Sequence, residues 1–325
     1  MGSLVFWVLL LGSLLPPRPL LSSSNGLSVN FYGNTCPNVE NFIWNALVEK
    51  MREPNKPNIT LPGTLRLFFH DCFVEGCDGS VLITSTANDA ERYADINKSL
   101  PPDGFDIVIR AKKAVEAACP GVVSCADILA ILARDVVYYA KGPWWPVEMG
   151  RRDGRISKAA HAADQVPSGY SNLTDLIVRF QFKGLSKFDL VTVSGAHNLG
   201  STHCIEFADR IRQHDPILNE TLRAGLIKGC PYRKIDPLVV IPFHEPPFQF
   251  DNEYYKSLMQ NKGLLTSDQA LFSGGDEYIR EMVLRFAGDK ELFFKSFGNA
   301  MQRLGAVGVK TGTEGEIRRE CTSFN

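Results

Sequence analysis

Leu65-Arg66-Leu67-Phe68-Phe69-His70-Asp71-Cys72-Phe73-Val74-Glu75-Gly76-Cys77-Asp78-Gly79-Ser80 is the stretch from which the rest of the chain can be read. Its first half places apolar side chains at three- and four-residue steps, the period of a helix with a buried face. On such a helix Arg66 and His70, four residues apart, share one side, with Phe69 next to them. A cation, a proton acceptor and an aromatic wall then line one surface. Spacing alone leaves open the commoner alternative, a solvated face.

The second half of the stretch is a glycine-rich turn. Asp71, Asp78 and Ser80 offer hard oxygen donors across it, and backbone carbonyls in such a turn can point inward, an arrangement that suits calcium. The competing interpretation is that these acids only cap turns. Cys72 and Cys77 stand close enough in sequence to close the same loop.

Outward from this block, helical spacing dominates. It predicts helices over 39–51, 64–73, 105–118, 124–139, 173–182, 187–195, 204–211, 252–261, 277–287 and 290–304. Ser124 with Asp127 three residues on is a start signal, and Gly263 and Gly305 are stop signals. Strand signals are few and short, and there is no internal repeat or low-complexity linker. The expected fold is mainly α, about ten helices with Pro- and Gly-rich loops between them, in one domain over residues 25–325.

Residues 4–15 are almost entirely apolar, then break at Pro16, Pro17 and Pro19 and relax into Ser22 to Ser24. This pattern predicts a signal peptide over residues 1–24, too short to span a bilayer, although the first basic residue, Arg18, follows the apolar run instead of preceding it. A buried N-terminal helix is the alternative. Lys and Arg number 35 against 36 Asp and Glu, interleaved along the chain, so neither nucleic acid nor an anionic membrane is an expected partner. Eight cysteines with no paired CxxC favour disulfides over metal thiolates, and a route outside the cytosol. Sequons at Asn58, Asn172 and Asn219 agree with that route; a fourth, at Asn97, is expected to be buried and unglycosylated.

The second informative segment is Asp189-Leu190-Val191-Thr192-Val193-Ser194-Gly195-Ala196-His197-Asn198-Leu199-Gly200. A strongly apolar helix ends in small residues beside a single His, so a bulky planar group could approach His197. A lone His there is more often a satisfied core residue.

Taken with the other motifs, the chain resembles the plant secretory (class III) haem peroxidases from Leu27 to Cys321. The motifs are Asn30-Phe31-Tyr32 with Thr35-Cys36-Pro37, the block from Arg66 to Ser80, Val123-Ser124-Cys125-Ala126-Asp127 and Gly150-Arg151-Arg152-Asp153-Gly154. The remainder are the segment from Leu190 to Gly200, Phe250-Asp251-Asn252 with Tyr254-Tyr255, and Thr266-Ser267-Asp268-Gln269.

The resemblance implies haem b between a distal and a proximal lobe, with His197 as the iron ligand, Asp268 accepting the other ring N–H of His197, and Phe69 against the cofactor. It implies His70 as acid and base on hydrogen peroxide, Arg66 as charge stabiliser, Asn97 orienting the His70 ring and Glu91 holding Asn97. Phenolic donors would approach near Pro167. It pairs Cys36 with Cys119, Cys72 with Cys77, Cys125 with Cys321 and Cys204 with Cys230, where arithmetic alone leaves 105 connectivities. Asp127 with Arg151 matches a structural ion pair. His161, His203, His214 and His244 fall outside the family's catalytic positions and are expected on the surface or in loops.

The family binds two calcium ions. The distal set is complete here: the side chains of Asp71, Asp78 and Ser80 with the carbonyls of Val74 and Gly76, and Glu91 behind them. The proximal set is not. Asn198 replaces the hydroxyl residue that follows the ligand His, and the later Asp and Thr fall on Phe243 and Pro246, leaving Asp251 as a remnant, with Glu245 as a possible substitute. One calcium is expected, not two. The donor loop, Val166-Pro167-Ser168-Gly169, lacks the family's usual second proline.

The expected function is therefore that of a secreted, monomeric peroxidase of the cell exterior, serving cell-wall and lignin metabolism or an oxidative stress response. The alternative is a secreted haem- or ligand-binding protein on the same scaffold without turnover; Arg66 together with His70 argues against it. A hydrolase is disfavoured because no GxSxG elbow occurs.

Overall fold

Where a polar side chain can accept from the backbone two or three residues ahead, the chain starts a helix. Ser124 Oγ accepts from Asp127 N at 3.1 Å and opens α4 (Cys125–Tyr139). Asn172 opens α6 (Leu173–Phe182) in the same way, and Ser186 with Asp189 forms a reciprocal capping box ahead of α7 (Lys187–Ser194). Asn219, Asp276 and Asp289 cap α9 (Glu220–Gly229), α12 (Glu277–Gly288) and α13 (Lys290–Leu304). The other helices are α1 (Val39–Met51), α2 (Thr60–Phe73), α3 (Pro102–Ala118), α5 (Ala159–Ala162), α8 (Ala208–Arg212), α10 (Glu253–Met259) and α11 (Thr266–Ser273). Two short strands, β1 (Ser201–His203) and β2 (Val240–Pro242), pair antiparallel with Ser201 opposite Pro242.

The structure is a computed structural model and describes residues 26–325 apart from 55–57, 86, 232–235 and 237. Residues 1–24, read above as a signal peptide, lie outside the described residues. The mainly helical architecture matches the expectation, with thirteen α-helices among the described residues in place of about ten. α2 begins at Thr60, four residues earlier than its periodicity indicates, and residues 204–211 divide into a 3₁₀ turn followed by α8.

In one half α2 packs against α3 and α4, and α1 against the same two. α4 is the central element, with every residue from Cys125 to Val137 buried. In the other half α7 packs against α6, α12 and α13, and α10 against α11 and α12, around Tyr255, Phe286, Phe293 and Phe297. A smaller apolar cluster of Phe207, Ile211, Leu218 and Leu226 surrounds one disulfide. The four disulfides are Cys36–Cys119, Cys72–Cys77, Cys125–Cys321 and Cys204–Cys230. None of the described helices is long and apolar enough to cross a membrane.

Candidate active site

The remaining face of α2 is turned to a cavity of about 550 Å³, bordered by Arg66, Phe69 and His70 from α2 and by Leu190, Val193 and His197 from α7 and the turn after it. Asp268 of α11 and the loop at Pro167, Ser168 and Gly169 also border it. The residues singled out from two distant sequence segments thus meet at one place.

His70 is 3% exposed. Its Nδ1 lies 2.6 Å from Asn97 Oδ1; the amide oxygen can only accept, so the ring proton sits on Nδ1. Nε2 is then the free base, and it accepts from Arg66 Nε at 3.1 Å. Burial and the nearby guanidinium together push the His70 pKa down to about 3, so the ring is neutral over the physiological range. Arg66 is held by Ser99, whose carbonyl and hydroxyl oxygens accept from Nη1 and Nη2 at 3.2 and 3.0 Å. Asn97, only 2% exposed, donates through Nδ2 to the backbone carbonyl of Glu91 at 2.8 Å. Glu91 thus meets Asn97 through its main-chain carbonyl.

The Glu91 carboxylate points elsewhere. Both Glu91 oxygens are buried with no hydrogen-bond partner, and so is Ser80 Oγ. Burial and the charges of Asp71 and Asp78 raise the Glu91 pKa to about 9, and burial with Asp78 raises that of Asp71 to about 8. Asp71 Oδ2 accepts from Gly79 N at 2.9 Å and Asp78 Oδ1 from Ser80 N at 3.0 Å, which closes the turn. Gly76 has φ +101°, and a Cβ there would collide with Gly308, so only glycine fits. Lysines approach from outside: Lys310 contacts the Asp78 carboxylate, and Lys183 donates to the Val74 carbonyl at 3.1 Å. Three buried acids with one direct ammonium contact, two of them held protonated by burial, leave orphaned oxygens that a hard cation would satisfy while displacing the protons. Among the described residues no three His, Cys, Asp or Glu side chains form a metal cluster, so such a site would rest on Asp71, Asp78, Ser80 and carbonyls such as those of Val74 and Gly76.

Across the cavity, His197 Nδ1 lies 2.8 Å from Asp268 Oδ1, which also accepts from Tyr254 Oη at 2.9 Å. A proton on Nδ1 leaves Nε2 as the free ring atom, and the side chain is 36% exposed while Asp268 is 3% exposed. Phe243 lies flat on the His197 ring, centroids 4.3 Å apart and planes 7° from parallel. Asn198 is fully buried and bonded on both ends of its amide: Nδ2 donates to Gly195 O at 2.9 Å, and Oδ1 accepts from Tyr254 N at 3.1 Å.

Of the histidines expected on the surface or in loops, two stand close to the site, His203 on β1 and His244 in the loop after β2. The His203 ring borders the cavity with its Nδ1 buried, because β1 carries it inward, and the His244 side chain is only 5% exposed. Phe243 stacks on His197, while His244 faces Asn198 and Asp251, with His244 Nε2 4.0 Å from Asp251 Oδ1. The Asp127–Arg151 pair is buried, 2.9 Å apart, and Tyr32 Oη donates to Asp127 at 2.7 Å. Ser99 and the Tyr254 hydroxyl were missed from the sequence, since a hydroxyl at an arbitrary spacing carries no pattern.

A family model described as peroxidase matches residues 43–289. Peroxidase 55 of Arabidopsis thaliana is 48% identical over 313 residues, covering 94% of this chain and 93% of that protein. Peroxidase 51 of the same plant is 46% identical over 313 residues, with 93% of each covered. Peroxidase 31 is 42% identical over 307 residues, covering 94% and 95%. Matched by that family over most of its length and aligned nearly end to end with such relatives, the chain belongs to the peroxidase family.

Proposed function

We propose that the chain is a secreted haem peroxidase that reduces hydrogen peroxide to water with electrons drawn, one at a time, from two phenolic donors. The observation that carries this is the convergence on one cavity of a neutral, Arg66-bonded His70 and a His197 held by Asp268.

The residues present fit a haem. Cofactor sites commonly enclose about 300–1,000 Å³ behind mainly apolar walls, and this cavity falls within that range with leucine, valine and phenylalanine side chains around it. His197 Nε2 is free toward it, and the second oxygen of Asp268 is buried without a partner, leaving the carboxylate as an acceptor that makes the imidazole a stronger ligand. Haem, when bound, supplies the iron at which the O–O bond breaks and stores the oxidising equivalents that the donors discharge.

The protein's own part is proton traffic and charge. His70 Nε2 takes the proton from the near oxygen of peroxide and returns it to the departing one, while Asn97 keeps the other ring nitrogen engaged. Arg66, fixed by Ser99, stabilises the negative charge that builds on the leaving oxygen. Donors enter past Pro167, Ser168 and Gly169. Asp71, Asp78, Ser80 and the carbonyls of Val74 and Gly76 would hold a calcium ion that neutralises the loop behind His70. Four disulfides support a place outside the cytosol, where phenolic cell-wall precursors and peroxide are available.

Purified protein loaded with haem should show a Soret band and oxidise simple phenols only when hydrogen peroxide is added. A Soret band with no turnover of any phenol would overturn the assignment in favour of a binding protein.

A further inference from the structure

The residue after the proximal histidine is tied to a second imidazole. His244 Nε2 lies 2.8 Å from the backbone oxygen of Asn198. A carbonyl only accepts, so the proton is on Nε2 and the ring donates. The same nitrogen is 4.0 Å from Asp251 Oδ1, and the other ring nitrogen is buried without a partner. Asp251 Oδ1 meanwhile accepts from Glu253 N at 2.9 Å, at the start of α10. One N–H group thus stands between a main-chain oxygen and a carboxylate, the two kinds of oxygen that a calcium ion would otherwise bring together.

The neighbouring contacts turn this into a clamp. Phe243 stacks on His197 while His244 donates to Asn198, so two consecutive residues of one loop grip two consecutive residues of the other by different forces. Phe243 N donates to Gly200 O at 3.2 Å and Gly200 N donates to Pro247 O at 2.7 Å, which fixes the register of the two loops. Asn198 passes the restraint to α7 through Gly195 and to α10 through Tyr254.

We propose that His244 is a positioning residue: its imidazole takes the place of a cation beside Asn198 and Asp251 and holds the His197 turn without a metal. This rests on His197 being the iron ligand, which His197→Ala tests separately: loss of haem in that variant supports the ligand assignment, and retention of a normal haem spectrum refutes it.

Three measurements on the haem-loaded protein test the clamp. In His244→Ala, the iron–histidine stretching band in the resonance Raman spectrum should broaden or shift, and haem loss to an excess acceptor globin should speed up about tenfold. His244→Gln, whose amide keeps a donor for the Asn198 carbonyl, should restore both. The double variant Asn198→Thr with His244→Asp, in which the imidazole is exchanged for oxygen donors, should bind one calcium more than the unsubstituted protein by elemental analysis, and a folded double variant with an unchanged calcium count would count against the proposal. A His244→Ala protein with an unchanged band and haem-loss rate would sink the proposal. So would a glutamine variant no better than alanine, or an Asp251→Ala protein that carries one calcium fewer than the unsubstituted chain.

Discussion

The two halves that face each other across the cavity deal with buried charge in opposite ways. Behind His70, Asp71, Asp78 and Glu91 crowd together with orphaned oxygens on Glu91 and Ser80, and burial holds two of the acids far above their ordinary range. Behind His197, Asn198 is bonded on each side of its amide and at its carbonyl, and Asp251 accepts from Glu253 N at the start of α10. The first arrangement leaves oxygens that a cation would satisfy; the second is satisfied by the chain's own hydrogen bonds. A loop that delegates its charge to an ion can be emptied by a chelator; one that is internally bonded cannot.

The widest break in this comparison comes from removing the distal base. His70→Ala should slow the peroxide step by about 10²–10⁴-fold while haem stays bound, as followed by stopped-flow absorbance. On the other side, Asp268→Ala leaves the His197 ring without its acceptor and should lower peroxidase activity by about 10–100-fold, with a weakened iron–histidine band as the independent reading.

Next in size is calcium. Chelation should lower Tm by about 5–10 °C, the equivalent of about 2.7 kcal/mol for an ion present at a hundred times its Kd. Asp78→Ala should abolish that difference, and an equal chelator effect in Asp78→Ala would place the ion elsewhere. The smallest effect expected is from Ser99→Ala, which removes one acceptor from Arg66: about fivefold on the peroxide step, the worth of one hydrogen bond of about 1 kcal/mol.

Acidity sharpens the contrast further. The unfolded chain binds a proton on His70 near the ordinary histidine value of 6.5, and the folded chain only near 3. The unfolded state therefore holds more protons between those values. The contribution of this group to stability is complete above 6.5 and is lost progressively as the pH falls toward 3. The peroxide step, which needs the neutral ring, should persist through mildly acidic solution and fail only near pH 3. A rate that halves near 6.5 would contradict the buried, neutral His70.

Legibility in the sequence followed the strength of the pattern. α1, α6 and α13 run between the residues their periodicity marks, because each has a polar face, an apolar face and a defined end. α9 was invisible: of Glu220–Gly229 only Leu226 is buried, so there is no stripe to detect. α11 opens on Thr266, Ser267 and Asp268, of which the last two border the cavity, so its first turn shows no apolar periodicity. At the site, His70, Arg66, His197 and Asp268 were reached through long motifs. Ser99 and His244 were not, since what places them is the meeting of loops distant in sequence. The stacking of Phe243 on His197 has the same origin: a contact between two irregular segments, one of them proline-rich, leaves no trace in either until the rings are seen together.

The turn that follows α2 is seated by the end of the chain. Cys77 N donates to Val307 O, Lys310 meets Asp78 across 232 residues, Arg318 donates to the Asp78 carbonyl, and Cys321 is linked to Cys125. A ribosome adding about 5–20 residues per second needs about 10–50 s to pass from one to the other. Throughout that time the nascent α2 has emerged with its loop uncovered. Vectorial synthesis therefore cannot finish this half early. The first helices to leave the tunnel must wait, and whatever chaperones or oxidases attend them must keep Cys125 available until its distant partner arrives.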